Sequence, residues 1–385
     1  MARTIFVCLA ALLCVGAALG GHPVYTCGGE PNNNPIIEAN PQFIKSVKNG
    51  KLYHAGQGDE TISVVHVYGS FYDMGYAQGQ LLKDEVNYIL PSFLQHILTE
   101  VDEYVKWIPK PIADWVGKVG LMAALDITYD ITKDYTPSRF YDEVQGIADG
   151  SGADYRLTRN LQLLGELVKA GCSMFGASDS ATPDGSLLQL RALDWDYQSP
   201  LNKYPTIIVY HPSPDTGITN DFLLASWAGY IAAISGVNDK GVAISEKHYD
   251  DGPLIEDSRI GSPFQIVLRE ILEESLTLDD AINVMANARR TCSIWVGVGD
   301  AKLNTARVFE YSYAELVAWD WMNQDNSSTH PQLKDVVYKG VHEPCFPNQV
   351  EAYSGAGNLT AANTIQNVIP VVETGDTQAV IYSLK

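Results

Sequence analysis

The order of elements along this chain predicts an α+β fold, and three observations carry that prediction. From Cys172 onward, short alternating or apolar runs bounded by Gly, Pro, Asn and Asp read as strands. In their midst only two consecutive segments, 264–274 and 281–288, keep helical spacing. Strands then resume, so strands and helices come in blocks and do not alternate as in a parallel α/β fold.

Ahead of Cys172, residues 21–57 are rich in Gly, Pro and Asn and are expected to be irregular. Residues 62–68 alternate as a strand. The run Gly69-Ser-Phe-Tyr-Asp-Met-Gly75-Tyr-Ala-Gln-Gly79 then opens a helical stretch reaching Trp107, with Leu90, Phe93, Leu94, Ile97, Leu98 and Val101 at helical spacing. Pro109 and Pro111 end it. Residues 112–127 form another apolar helix, read as core in preference to a membrane-touching segment. After Cys172, strands are expected at 173–177, 187–197, 206–211, 222–235 and 242–246. Ser262-Pro263 offers an N-cap and a first-turn proline for a helix over 264–274. Thr277-Leu-Asp-Asp280 has capping-box character for the next helix. The last strands fall at 294–298, 307–311 and 315–319.

The 385 residues are 46% hydrophobic and 19% charged, a globular composition sufficient for one large or two modest domains. A formal net charge of -20 disfavours nucleic acid as a partner. Such a surface suits an acidic compartment, where carboxylates protonate and self-repulsion falls. Residues 1–20 read as a signal peptide: Arg3, an apolar run to Ala18, then Ala18-Leu-Gly20. The run is short of the ~20 apolar residues a membrane span needs. The expected destination is therefore secreted or lysosomal. Cys8 and Cys14 leave with that peptide, and Cys27, Cys172, Cys292 and Cys345 remain. They allow two disulfides, or one pair with a catalytic and a buried thiol. Cys292, in the apolar run Cys-Ser-Ile-Trp-Val, reads as the buried thiol. Asn326-Ser-Ser and Asn358-Leu-Thr are glycosylation acceptor sequences.

Common chemical signatures are missing. The sequence holds no Gly-x-Ser-x-Gly elbow, His-Glu-x-x-His, paired Cys-x-x-Cys or P-loop. Its histidines lack metal-ligand spacing, so neither a metal nor an organic cofactor is implied. By elimination the chemistry falls on Cys172 and on Leu190-Arg191-Ala-Leu-Asp194-Trp-Asp196.

Gly171-Cys172-Ser173 followed by Arg191-Ala-Leu-Asp194-Trp195 resembles the N-terminal nucleophile hydrolases of the cholylglycine-hydrolase type. Within that group the chain is most similar to the acid-ceramidase-like and acyl-CoA:6-aminopenicillanic-acid acyltransferase-related proteins. The glycine-rich start Gly69…Gly75…Gly79 agrees, as do Glu143-Val-Gln-Gly146-Ile-Ala-Asp-Gly150 running to Asn160, Asn238-Asp-Lys-Gly241, and Glu373-Thr-Gly-Asp376. The resemblance spans residues 62–385.

It implies a four-layer αββα fold that cuts itself between Gly171 and Cys172, giving a helical 21–171 chain and a catalytic 172–385 chain that stay together. A cysteine thiol of pKa near 8.5 needs a base. The freed Cys172 α-amine, titrating at about 7.7–8.0, supplies one from the same residue. In this scheme Asp194 accepts a hydrogen bond from the new ammonium, and Arg191 favours the thiolate and orients the acyl group. Residues three apart face opposite sides of a regular strand, so a bulge or a strand end is needed, and Asp196 is the fallback. Asn238 serves a hairpin turn or the chemistry; its sequence allows both. The oxyanion donor is unassigned among Asn323, Asn326 and Thr329-His330. The resemblance also implies a Cys27–Cys345 disulfide joining the two chains. The implied reaction is hydrolysis of a linear amide, a small-molecule or lipid N-acyl amine, through an acyl-thioester on Cys172. Ester hydrolysis of lipids in the phospholipase-B-like manner, acyl transfer, or an inactive secreted glycoprotein are the alternatives.

Overall fold

The computed structural model describes residues 27–38, 40–99, 119–167, 171–249 and 260–385. The expected signal peptide with Cys8 and Cys14, and the helix end at Trp107 with Pro109 and Pro111, lie outside the described residues.

Two sheets dominate the architecture. The larger runs β1 (Gln42–Val47), β2 (Gly50–Ala55), β3 (Ile62–Gly69), β6 (Pro205–Pro212), β7 (Phe222–Trp227), β8 (Ser235–Asn238), β9 (Val242–His248), β10 (Ile294–Asp300), β11 (Thr305–Tyr311) and β12 (Leu316–Trp319). The smaller runs β13 (Val336–Lys339), β4 (Gly171–Ala177), β5 (Leu187–Asp194) and β14 (Gln378–Leu384). Every pairing is antiparallel except β3 with β6. That parallel seam joins strands from before and after Cys172. The mixed α and β class expected from the sequence holds.

The main core lies between the larger sheet and helices. Val65, Val67, Ile208, Leu224, Ile244 and Val296 from strands meet Met74 and Leu81 of α1 (Phe71–Leu81) and Val86 and Ile89 of α2 (Lys83–Thr99). Leu125 of α3 (Leu121–Thr132), Val144 of α4 (Ser138–Ser151), Leu161 of α5 (Tyr155–Gln162), Leu268 of α6 (Phe264–Glu274) and Met285 of α7 (Leu278–Asn287) complete it. Met174, Trp295, Val308 and Val337 pack between the two sheets. The other face of the smaller sheet, with Phe175 and Leu190, is covered by Phe346 and Val350 of α8 (Cys345–Ser354) and by Val368. Strands β4 and β5 are therefore buried on both faces, which is why they read as nearly continuous apolar runs.

The glycine-rich motifs have a packing cause. Gly75 and Gly79 on α1 face Gly146 and Gly150 on α4, and the two backbones touch. A Cβ at Gly75 would lie 2.1 Å from the Glu143 carbonyl oxygen, and one at Gly146 2.3 Å from that of Tyr72. Larger residues would force these helices apart.

Several expectations are corrected. Residues 42–55 form a hairpin, β1 with β2, whose register shifts between Phe43 and Lys45, where irregular chain was expected. It escapes notice because β1 is an edge strand whose side chains are mostly exposed, so no burial pattern marks it. The expected strand over 222–235 is two strands, parted by a turn at Trp227–Tyr230 with Gly229 at φ +79°. The expected strand 187–197 ends at Asp194. Ser262 does not cap α6; its hydroxyl donates to Tyr135 O, and the Phe264 N–H is taken by the buried Glu166 carboxylate at 2.9 Å. Thr277 does cap α7, accepting from Asp280 N. Cys27 and Cys345 are disulfide-bonded, and Cys292 is a buried thiol outside the disulfide. Among the described residues no helix is long and apolar enough to cross a membrane.

Candidate active site

Strands β4 and β5 pair without a bulge, and their register decides what meets Cys172. Gly171 stands opposite Asp194, Cys172 opposite Leu193, and Met174 opposite Arg191. Side chains alternate along each strand, so Cys172 and Arg191 share one face while Asp194 takes the other. No bulge brings the three onto one face. Arg191 and Asp194 instead approach Cys172 from the two sides of the sheet.

On the first face the guanidinium Nη2 of Arg191 lies 3.6 Å from the Cys172 sulfur. The same nitrogen is 3.1 Å from Glu246 Oε2, and Nε donates to the Glu246 carbonyl. Arg191 is wholly buried, and its Nη1 has no hydrogen-bond partner. Burial pushes the Cys172 thiol up to about 12, outweighing the nearby Arg191, while Glu246 and Asp194 push it further the same way. Burial here favours the neutral thiol. Glu246 was not singled out from the sequence; the available signal was a charged residue closing the strand run 242–246.

On the second face Asp194 lies beside Gly171: a Cβ built there would be 3.5 Å from the Asp194 Cβ. The Thr374 hydroxyl donates to Asp194 Oδ2 at 2.8 Å and lies 3.0 Å from Ser173 Oγ. The Gly375 N–H donates to Oδ1. Gly375 has φ +80°, a left-handed conformation that suits glycine. Burial raises the Asp194 carboxyl despite these bonds, which act to lower it. Asp376 accepts from Trp195 N. The late Glu373-Thr-Gly-Asp376 motif is thus the turn that grips the end of β5.

A cavity of about 580 Å³, mouth included, adjoins this junction. Arg191, Glu246 and Leu193, the strand partner of Cys172, form part of its lining, and Phe93, Trp195, Leu201, Trp227, Ile234 and Phe264 give it apolar walls. Phe93 and Trp195 stack obliquely with centroids 5.8 Å apart. The wall carrying Trp227, Tyr230 and Ile234 is held by glutamines from helices of the earlier half. Gln78 accepts from Gly229 N, and Gln162 accepts from Ile231 N and Ala232 N while donating to Gly229 O. Arg269 donates to Ile231 O from the centre of a buried cluster with Glu143 and Glu273.

The remaining expected residues lie elsewhere. Asn238 donates to Leu272 O and Ser275 O and accepts from Lys240 N and Val242 N, so it clamps its hairpin to the end of α6. Asp196, the fallback for Asp194, pairs with His96 at 2.8 Å. Asn323 caps its own turn at Asp320, and His330 pairs with Glu343. Asn326 and Asn358 are exposed on the surface.

No family model matches the chain. Protein dcd1A of Dictyostelium discoideum is 39% identical over 377 residues, covering 92% of this chain and 84% of that protein. Protein dcd1B of the same organism is 36% identical over 368 residues, covering 91% and 72%. Among solved structures, the Caenorhabditis elegans ortholog of N-acylethanolamine-hydrolyzing acid amidase aligns with a TM-score of 0.41 at 14% identity, over 55% of this chain and 92% of that one. With more than a third of its residues shared along nearly its whole length, the chain belongs to the family of Dictyostelium proteins dcd1A and dcd1B.

Proposed function

We propose that this protein is a cysteine N-terminal nucleophile hydrolase that cuts itself before Cys172 and then hydrolyses linear N-acyl amides. The observation that carries the reading is the placement of Cys172, with a guanidinium 3.6 Å from its sulfur and Asp194 opposite Gly171 at the bond to be cut. Helices on the outer faces of both sheets support an αββα arrangement.

In maturation the Cys172 sulfur attacks the Gly171 carbonyl carbon. The C–N bond breaks, the nitrogen keeps its hydrogen, takes up the proton that the thiol gives up and becomes the Cys172 α-amine, and water hydrolyses the resulting thioester to a Gly171 carboxylate and a free thiol. Gly171 has no side chain to obstruct the approach. The new ammonium emerges beside Asp194, whose carboxylate is already oriented by Thr374 and Gly375. In turnover the α-amine takes the thiol proton and the sulfur attacks the substrate carbonyl. The amine then passes its proton to the leaving nitrogen, and water hydrolyses the acyl-thioester. Arg191 favours the thiolate, and its unpaired Nη1 is a donor for the acyl oxygen. The apolar aromatic walls suit an acyl chain. A disulfide and two exposed acceptor asparagines support passage through the secretory route, to the outside or to a lysosome.

Intact mass and N-terminal sequencing after incubation at acidic pH test the reading. A fragment beginning Cys-Ser-Met-Phe is expected, and Cys172→Ala should remain uncut and inactive. A processed Cys172→Ala protein would overturn the mechanism.

A further inference from the structure

One group in the cavity is used by nothing described so far. Gln265, the second residue of α6, lines the cavity and has no solvent exposure. Neither its Oε1 nor its Nε2 has a hydrogen-bond partner. Buried polar atoms are paired in the great majority of cases, so a carboxamide bare at both ends calls for a reason. Both ends being bare, the argument is the same whichever atom is the nitrogen.

The surroundings fix the side chain in place. Gly165 lies against it so closely that a Cβ there would be 2.2 Å from Nε2. The Tyr230 phenol stands within hydrogen-bonding reach of Gln265, although no bond to either end of the carboxamide is formed, and also feels Glu246 and Arg191, which links the carboxamide to the pair next to Cys172. The charges in the lining, Arg191 and Glu246, neutralise each other at 3.1 Å, so the lining offers no net charge to a phosphate or carboxylate ligand.

We infer that Gln265 selects the substrate bond: its carboxamide pairs with both the C=O and the N–H of an uncharged secondary amide held between apolar groups. An ester offers the carbonyl but no N–H, and leaves Oε1 bare. A site built to hydrogen-bond an N–H rejects the analogue that lacks it, because its own buried atom goes unpaired. Gln265 is a specificity residue in this scheme, and the inference rests on the hydrolase reading above.

The test compares wild type with Gln265→Met on a matched pair of probes, an N-alkyl fatty amide and the O-alkyl ester of the same acid. Self-cleavage and melting temperature are recorded alongside. For Gln265→Met, kcat/KM on the amide should fall about 10–100-fold while that on the ester changes less than about threefold. Self-cleavage should proceed, and the melting temperature should hold or rise, since an apolar side chain replaces two unpaired buried atoms. Gln265→Leu provides the same comparison if the first variant does not fold. An equal change on both probes, or a drop in melting temperature with the amide-to-ester ratio intact, would overturn the assignment and leave the hydrolase reading standing. Failure of the wild type to cut itself and to hydrolyse either probe would instead overturn both.

Discussion

At the scale of single residues, the site rests on a buried ion pair as much as on a thiol. Arg191 is wholly buried and is bonded to the Glu246 carboxylate and backbone. Removing one member of such a pair strands the other, typically at a cost of about 3–5 kcal/mol, whereas removing both is far milder. Arg191→Met should therefore lower denaturant stability by about that amount, and Arg191→Met with Glu246→Gln should recover most of it. Equal losses in the single and double variants would show that the two side chains are not coupled. That Arg191 meets Cys172 and Asp194 lies beside Gly171 was legible in the sequence because a short motif surrounds them. Glu246 and Gln265 were not, because Glu246 sits in the polar end of its strand, Ser245-Glu-Lys247, and Gln265 is one polar residue in an apolar helix start, and each looks the same whether it faces a site or a partner. The opposite faces of Arg191 and Asp194 followed from strand alternation alone.

Helix α6 links the cavity wall to a cluster of charges at the level of elements. Glu270 on α6 lies 3.8 Å from Arg139 of α4, with Glu273 and Glu274 also on that arginine. Burial pushes the Glu270 carboxyl up to about 7, with Glu274 and Glu273 adding to the rise and Arg139 opposing it. Its pKa is higher folded than unfolded, so the folded state holds the proton more tightly. The stability it contributes is complete below the unfolded carboxylate pKa and is lost as pH rises through about 7. Thermal unfolding should accordingly occur at higher temperature at pH 5.5 than at pH 7.5, and Glu270→Gln should flatten that difference. A melting temperature that rises toward pH 7.5 in the wild type would contradict this. Legibility at this scale followed burial. Helix 264–274 and strands β6, β9 and β10 were read with correct bounds or nearly so, since their periodic faces pack on a core. The edge hairpin β1–β2 has no such face. Helix α8 carries Pro347 and follows Pro344, and local signals there argue against a helix.

For the whole molecule, the parallel seam of β3 and β6 means that residues on either side of Cys172 share one sheet. The earlier half also supplies α1, α4 and α5 to the main core. Reducing the Cys27–Cys345 bond under native conditions should therefore leave a cut protein as one particle in size-exclusion chromatography, with the halves parting only in denaturant. Separation on reduction alone would show that the shared sheet does not hold them. That seam has a further consequence. A strand order running through both halves can be assembled at unimolecular speed only while the chain is continuous, so the proposed self-cleavage requires folding to come first. If the proposed cut at Gly171 is made, unfolding yields two chains that must find each other again. The persistence of the cut protein then becomes a matter of unfolding rate more than of equilibrium. The disulfide, which joins a residue before Gly171 to one after it, keeps the halves at high effective concentration through any transient opening.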